Sequence, residues 1–158
     1  MRRKDREVTN IDDILCVVGK ANILHLGLFD DGYPYIVPLH FGYEFAKERF
    51  VFYMHSAREG HKLDLIRANP NVCVQLECDV DLVSGGDVPC KYGSTFASLI
   101  GRGQAEILTD CQEKCYALSL LMRHQTGKEF AITDQMASTV EIIKVVVFSF
   151  TAKSRPKM

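Results

Sequence analysis

Residues 52–71 read FYMHSAREGHKLDLIRANPN, an apolar strand that passes through a polar turn directly into a short helix. Two cations, two imidazoles and a hydroxyl fall within eight residues here, on His55, Ser56, Arg58, His61 and Lys62. The first N–H groups of a helix have no intrahelical acceptor and favour anions. These residue types fit a phosphate site and a solvated turn equally well, so the rest of the chain has to decide between them.

The chain has the size and composition of one globular domain, which we expect to span residues 1–158. A chain of this length can bury roughly 70% of the surface that its unfolded form exposes. Its net charge of −1 and its pI near 6.5 provide no overall field for binding nucleic acid or an anionic membrane. We therefore expect neither as a partner.

The sequence also predicts a cytoplasmic protein. Its basic start, MRRKDREV, is followed by acids rather than by the apolar core of a signal peptide, and no run reaches the length of a membrane span. Six cysteines are scattered without a C-x-x-C pair. A chain with 47% apolar residues needs no disulfide frame.

The first half predicts a helix followed by three antiparallel strands. A capping box at Thr9 and Asp12 opens the helix, and strands are expected over residues 22–29, 33–43 and 50–54. The apolar stripe of the helix is Ile11, Ile14, Leu15 and Val18. Pro34 and Pro38 predict an edge position for the second strand, with a bulge near Pro38.

The second half predicts two helices and three strands. The helix after Gly60 should end at Asn69-Pro70, and a later helix should run from a capping box at Thr109 and Gln112 to Gly127. Strands are expected over residues 72–77, 92–108 and 142–150. The second of these should bend at residues 101–103, and the almost wholly apolar third should be buried on both faces.

This order of elements predicts the fold class. Few helices among many strands, with hairpin-like connections in the first half, favour an α+β fold around a small antiparallel barrel over a doubly wound sheet.

Other kinds of site are weakly indicated. The spacings of a P-loop and of a dinucleotide fold do not occur in the sequence. The five histidines form no pair with metal-ligand spacing, so no metal site is expected. Cys111 and Cys115 lie four apart on the predicted third helix, where we interpret them as two half-buried small side chains. No cysteine nucleophile is predicted.

A phosphate at residues 55–62 would be held by Ser56, the first amides of the helix and Lys62. Arg58 or His61 would add a charge-assisted hydrogen bond. The adjoining strand ends, residues 38–40 and 53–55, offer apolar surface and imidazoles that could flank a planar ring. This combination suits a phosphorylated cofactor.

Several segments in fixed order carry a resemblance to a known family. They are YIVPLHFGY at residues 35–43, FYMHSA followed by Gly60 and Lys62 at residues 52–62, and I-x-x-N-P-x-V-C at residues 66–73. The N-terminal R-R-K-D-R-E at residues 2–7, Tyr92-x-Ser94 and G-x-G-x-A at residues 101–105 also fit. Over nearly its whole length the chain resembles the pyridoxamine 5′-phosphate oxidase-related flavoproteins, and particularly their nitroimidazole-resistance (Nim-like) branch.

The resemblance implies an antiparallel split β-barrel of FMN-binding type with flanking short helices. It also implies a homodimer that binds one flavin, usually FMN, in each of two clefts between subunits. Ser56 and Lys62 would hold the flavin phosphate, and Ser94 would reach the flavin from the long strand. The remaining residues implied at the cofactor are Pro38, Leu39, His40, Met54, His55, Ala57, Gly60 and His61. FAD is possible if its adenylate finds room near residues 84–91.

The implied activity is electron transfer from reduced flavin to a small electrophile such as a nitroaromatic compound. The electron donor, whether reduced nicotinamide or another, is not specified. His40 and His55 are the predicted proton donors near the ring, because imidazole titrates near neutral pH.

Two further expectations bear on this activity. The chain does not show the arginine- and histidine-bearing C-terminal segment of the pyridoxamine 5′-phosphate oxidases proper, so we do not expect vitamin B6 oxidation. The alternative function is a protein of the same fold that binds flavin or haem without turnover.

Overall fold

Residues 3–155, which the computed structural model describes, form one antiparallel sheet of eight strands and four α-helices. Arg2, part of the N-terminal match, lies outside the described residues. The strands are β1 (Glu7–Val8), β2 (Ile23–Asp30), β3 (Tyr33–His40), β4 (Gly42–Ala46), β5 (Arg49–Ser56), β6 (Asn71–Val83), β7 (Gly93–Ile107) and β8 (Glu141–Arg155). The helices are α1 (Ile11–Lys20), α2 (His61–Ala68), α3 (Cys111–Thr126) and α4 (Asp134–Ala137), with single 3-10 turns at Lys4–Arg6 and Pro89–Lys91. Among these described elements, no helix is long and apolar enough to cross a membrane.

The strands follow the order β3-β2-β6-β7-β8-β5-β4, and β1 pairs with the far end of β8. Strands β7 and β8 pair along nearly their whole lengths, while β5 pairs only with the first half of β8. Strands β3 and β5 stand far apart in this order and yet contact each other. The sheet is therefore rolled into an open barrel, and the predicted α+β split barrel is confirmed.

Alternate residues of each strand fill the barrel. In β2, Leu24, Leu26 and Leu28 are buried, whereas the residues between them face outward. Helix α1 packs Val17 and Val18 onto the same core. This period of two follows from the pleat of a strand. It separates an inner apolar face, which forms the core, from an outer face that is exposed.

The edge position predicted for β3 is confirmed, but the predicted bulge near Pro38 is wrong. The ladder between β2 and β3 runs unbroken from Asp30↔Tyr33 to Ile23↔His40, with Pro38 opposite His25. Pro34 and Pro38 are an even number of residues apart, so both can direct the missing N–H to the open edge. No bulge is needed to accommodate them.

The strand predicted over residues 33–43 is divided at Phe41 into β3 and β4. Phe41 and Gly42 are both buried. A Cβ at Gly42 would collide with the backbone of Leu120 and Leu121, so α3 lies directly on this point of the chain. The close approach of the helix ends β3 and starts β4 on the other side of the barrel.

Both capping boxes were predicted one residue too early. The cap of α1 is Asn10, whose side chain accepts hydrogen bonds from the amides of Asp12 and Asp13. The cap of α3 is Asp110, which accepts from Glu113 N. Asn and Asp cap a helix at least as well as Thr, and in both places the stronger acceptor stands directly after the threonine. The helix ends predicted at Asn69-Pro70 and Gly127 are confirmed.

Strand β8 is buried mainly on one face, contrary to prediction. Ile143, Val145 and Val147 point into the core, whereas Phe148 is 55% exposed. Ile142 is also buried, in a second cluster beneath α3. The predicted bend in β7 is confirmed, because the register with β8 shifts between Arg102 and Gly103.

Candidate functional site

Ser56, the last residue of β5, is a buried hydroxyl without a partner. The residue is 4% exposed, and its Oγ makes no hydrogen bond to any other residue of the described chain. Leaving a buried polar group unsatisfied costs roughly 1–3 kcal/mol. The hydroxyl lies at the end of β5, next to an exposed turn formed by residues 57–60. An oxygen atom bound at that turn could accept its hydrogen bond.

Residues 57–60 lead directly into α2, and Gly60 is the residue that precedes the helix. Its φ of 149° and ψ of 153° form a conformation that essentially only glycine adopts. The hydrogen bonds of the helix begin at Leu63 N, which donates to Gly60 O at 2.9 Å. The amides of His61 and Lys62 precede that bond and have no acceptor within the helix.

Lys62 is half-buried and lies back over this turn. Its Nζ is 3.9 Å from the position that a Cβ on Gly60 would occupy. Ser56, two helix amides and an ammonium group therefore come together around residues 56–62. This is a donor set that fits a phosphate. Ala57 lies in the exposed turn between them, and Arg58 is also exposed.

His61 is engaged elsewhere. Its Nε2 lies 2.7 Å from Asp30 Oδ2, and its ring meets Tyr35 edge to face at 5.3 Å between centroids. These contacts join the start of α2 to the β2–β3 hairpin. His61 therefore positions the helix start through its contacts with Asp30 and Tyr35.

His40, at the end of β3, is held by Gln125 of α3. Its Nδ1 lies 2.9 Å from Gln125 Oε1 and 3.3 Å from Asn22 O. Gln125 Nε2 donates to the carbonyls of Asn22 and Phe41, which places its oxygen toward the imidazole. Because both neighbours of Nδ1 are acceptors, Nδ1 carries the hydrogen and Nε2 is the free nitrogen of the neutral ring.

His40 and His55 lie at the same end of the barrel. Gly42 pairs with Tyr53, so His40, two residues before Gly42, is level with His55, two residues after Tyr53. Both imidazoles are exposed. Their role as proton donors stays a prediction, and their shared position is compatible with it.

The residues predicted to line a ring have different environments. Pro38 is exposed, and Leu39 is half-buried against the core. Met54 is fully buried in the core, beside the aromatic rings of the barrel. The Met54 side chain therefore packs inside the barrel and is not exposed to a ligand outside it.

A groove of about 900 Å³ crosses the outer face of β2, β3 and β6. This volume is in the range of small-molecule sites. Its walls are apolar, and Gly27 leaves its floor without a side chain. The lining residues include His25, Gly27, Phe29, Ile36, Cys73, Gln75, Arg102 and Phe148.

His25 lies in this groove, a position that was not predicted from the sequence. It pairs with Pro38 across the β2–β3 ladder. Its Nδ1 is buried without a hydrogen-bond partner among residues 3–155, and Glu77 Oε2 is 3.9 Å away. The signal that would have found it is the alternation of β2, which directs His25 outward beside Pro38.

Ser94 does not join the other predicted residues within one chain. Ser56 pairs with Glu141, at the start of β8, whereas Phe96 pairs with Arg155, at its end. Ser94, two residues before Phe96, therefore lies at the opposite end of the sheet. Strands rise roughly 3.3 Å per residue, so a single chain does not bring Ser94 to the phosphate donors.

Another titratable group whose environment was not predicted from the sequence is His124, half-buried between Phe41 and Tyr43. Its Nε2 donates to Ala21 O at 2.8 Å. Burial lowers the pKa of His124 below its ordinary value of 6.5, and the hydrogen bond to Ala21 opposes this only in part. The ring is a neutral packing group that joins α3 to the end of α1.

Comparisons with known proteins identify the family. The sequence profile described as pyridoxamine 5′-phosphate oxidase matches residues 10–154. The chain belongs to this family. No curated protein sequence matches it significantly.

Among solved structures of this fold, a candidate 5-nitroimidazole antibiotic resistance protein from Bacteroides thetaiotaomicron is 32% identical. The match covers 94% of this chain and 86% of that one, with a TM-score of 0.79. A flavocytochrome from Azotobacter vinelandii is 15% identical, covering 99% and 72% of the chains (TM-score 0.77). An FAD- and haem-binding protein from Mycobacterium smegmatis is 14% identical, covering 96% and 74% (TM-score 0.77). At these identities the last two show the shared fold alone.

Proposed function

We propose that this member of the pyridoxamine 5′-phosphate oxidase family is a homodimeric FMN-dependent oxidoreductase of Nim-like type. The observation that carries the proposal is the buried, unpartnered hydroxyl of Ser56 beside the free amides of α2 and the ammonium of Lys62. A solvated turn gives no reason to keep a hydroxyl away from water without a partner. A phosphate does, because its oxygens accept from all of these donors.

Bound flavin would supply the electron transfer, and a nitroaromatic compound is the electrophile class that the Bacteroides relative suggests. This chain would bind the phosphate through Ser56 and Lys62 and present His40 and His55 near the ring. The hydrogen bond from His40 Nδ1 to Gln125 leaves Nε2 as the nitrogen that can exchange a proton with a substrate.

The second subunit of the proposed dimer has a defined contribution. Ser94 lies at the other end of the sheet from Ser56, so it can take part in a flavin cleft only if that cleft is shared between two chains. The apolar groove on the outer face offers the surface for such contact. Ser94 of one subunit would then complete the site built on Ser56 of the other.

The first test is the visible spectrum of the freshly purified protein, with mass analysis of whatever it releases on denaturation. We expect flavin absorption and release of FMN. FAD would correct the cofactor, and a haem Soret band without flavin would favour the non-catalytic alternative. A colourless protein that also fails to take up added FMN would overturn the proposal.

The phosphate donors can then be tested one at a time. Lys62→Met should weaken FMN binding by about 10- to 100-fold, as expected for a hydrogen bond to a charged group of roughly 1.5–3 kcal/mol. Lys128→Met, which removes an exposed lysine just after α3, should leave the affinity unchanged. Riboflavin, which has no phosphate, should bind both variants equally.

The rate of nitroaromatic reduction tests the predicted role of His40 and His55. His40→Ala and His55→Ala should each slow the reduction of a nitroaromatic compound by pre-reduced protein while FMN remains bound. Equal rates in wild type and both variants would remove them from the proton path.

A further inference from the structure

A second group of chemistry-bearing side chains lies between α3 and α4. Cys111 and Cys115 occupy one face in the first two turns of α3, and Asp134 is the first residue of α4. Their three ligand atoms, the two Sγ atoms and a carboxylate oxygen, lie within 4.8 Å of one another. Gln125, the contact of His40, is fourteen positions further along α3, or roughly 20 Å at the helical rise. The group is thus remote from His40 and shares no residue with the proposed flavin site.

We propose that Cys111, Cys115 and Asp134 form a binding site for a zinc-class divalent cation, with water as the fourth ligand. Nothing in this inference rests on the proposed flavin. Two sulfurs and one carboxylate oxygen are a donor set that borderline-soft cations prefer, whereas magnesium and calcium prefer oxygen alone.

The distances fit tetrahedral coordination. Zinc binds sulfur at about 2.3 Å and carboxylate oxygen at about 2.0–2.2 Å, which places an S–O ligand pair about 3.5–3.7 Å apart. Cys115 Sγ lies 3.6 Å from Asp134 Oδ1. Two sulfurs on one zinc lie about 3.8 Å apart, so the limit of 4.8 Å on this cluster calls for an approach of about 1 Å at most.

The carboxylate is also oriented from outside the ligand set. Gln112 Nε2 donates to Asp134 Oδ1 at 3.2 Å, and Thr133 caps α4 through Met136 N. Such outer contacts fix the direction of a metal ligand. The main-chain carbonyl of Asp134 lies 3.9 Å from Cys111 Sγ, so both cysteines face the same residue of α4.

The arrangement is less suited to a disulfide. Side chains four apart on a helix have Cβ atoms about 5–6 Å apart, whereas a disulfide needs about 3.5–4.5 Å. A cation spans the larger separation because each sulfur bonds to the metal instead of to the other sulfur. On binding, two S–H bonds are replaced by two metal–sulfur bonds, and both protons leave to solvent.

A cation here would have a structural effect. Residues 128–133 connect α3 to α4 without a helix or strand. A metal shared by Cys111, Cys115 and Asp134 would fasten the end of this segment to the start of α3. A ligand that binds only the folded state raises its stability, so the metal should raise the melting temperature.

The test is a titration of the metal-free, reduced protein with Zn²⁺ against a chromophoric chelator, followed by titration with Cd²⁺ monitored by sulfur-to-metal charge-transfer absorption. We expect one equivalent of each metal, a charge-transfer band and a higher melting temperature. Cys115→Ser and Asp134→Asn should each weaken binding at least tenfold, and Cys115→Ser should also reduce the band. The matched controls Cys90→Ser and Glu129→Gln should bind as the wild type does.

Two outcomes would overturn the proposal. One is a wild-type protein that takes up no Zn²⁺ at micromolar concentration. The other is a Cys111→Ser/Cys115→Ser double variant that binds Zn²⁺ as tightly as the wild type. A far-UV circular dichroism spectrum identifies any variant that has not folded, and Cys115→Ala then replaces Cys115→Ser.

Discussion

The hydroxyl of Ser56 has opposite effects on stability and on binding. In the free protein it is buried without a partner, so Ser56→Ala should raise the free energy of unfolding, by at most about 1–3 kcal/mol. The same change removes a donor to the charged phosphate and should weaken FMN binding about 10- to 100-fold, as for a hydrogen bond to a charged group of roughly 1.5–3 kcal/mol. Urea unfolding of FMN-free protein and an FMN titration measure the two effects.

Ser119→Ala is the matched control for this pair of measurements. Ser119 Oγ already donates to Tyr116 O at 2.7 Å. Its replacement by alanine leaves no unpaired buried group and should leave FMN affinity unchanged. The assignment of Ser56 fails if Ser56→Ala destabilises the free protein and binds FMN like the wild type.

The buried imidazole of His124 predicts a pH dependence of stability. Its pKa is lowered by burial, so the unfolded chain takes up the proton more readily than the folded one. Stability from the neutral ring is complete above the ordinary pKa of 6.5 and is lost as pH falls from there through the folded-state pKa. The urea midpoint of the wild type should therefore fall on acidification below pH 6.5, and that of His124→Gln should fall less. Parallel pH profiles for the two proteins would contradict this account.

Single residues also show where sequence reasoning stops. Ser56 and Lys62 were predicted from local spacing, and the structure brings their side chains to one turn. The environments of His25 and His124 were not predicted because they depend on distant segments, Pro38 for one and Phe41 with Ala21 for the other. A buried group acquires its pKa and its partners from contacts that no local pattern contains.

At the scale of the elements, the conformation of the turn before α2 depends on Gly60. Gly60→Ala should lower the free energy of unfolding by about 1–3 kcal/mol, because its φ of 149° is unfavourable for alanine. It should also weaken FMN binding, because a shift of the backbone at Gly60 would displace the first amides of α2. Thermal unfolding and an FMN titration provide the two readouts.

Gly127→Ala separates strain from binding. Gly127 ends α3 with a φ of 69°, and a Cβ there would have no neighbour within 4 Å in the described structure. This variant should lose about 1 kcal/mol or more of stability and keep its FMN affinity. If both glycine variants bind FMN equally well, the turn before α2 is not a phosphate site.

The elements themselves were predicted well where a local rule governs them. Proline ended α2, glycine ended α3, and two prolines placed β3 at an edge. Errors arose where two neighbouring residues competed, as Thr9 and Asn10 did for the cap of α1. The division between β3 and β4 was missed because its cause, the contact of α3 with Gly42, is a tertiary one.

At the scale of the whole molecule, the apolar groove on the outer face indicates where two subunits would meet. Ile36 is 62% exposed and Phe148 is 55% exposed, and both line this groove. An aspartate at either position should prevent two apolar faces from meeting. We expect Ile36→Asp and Phe148→Asp to elute as monomers on size exclusion, to retain their circular dichroism spectrum and to lose FMN.

Phe130→Asp tests whether this effect is specific to the groove. Phe130 is 45% exposed in the segment after α3 and does not line the groove. It should remain dimeric and bind FMN. The proposed interface is wrong if the groove variants remain dimeric as well.

The fold class was within reach of the sequence because it depends on the order and period of elements, which are local properties. The family followed from ordered motifs that span the chain. The position of Ser94 could not be predicted from the sequence, because it depends on how β6, β7 and β8 align over their full lengths. Those registers are set by long-range pairing, including the shift between Arg102 and Gly103.

The separation of Ser94 from Ser56 has a consequence for how the cofactor would be retained. If each flavin cleft takes its phosphate donors from one chain and Ser94 from another, dissociation of the subunits removes part of every site at once. The apparent affinity for flavin would then depend on the total protein concentration as well as on that of the flavin. Dilute protein would release its cofactor, and concentrated protein would recover it.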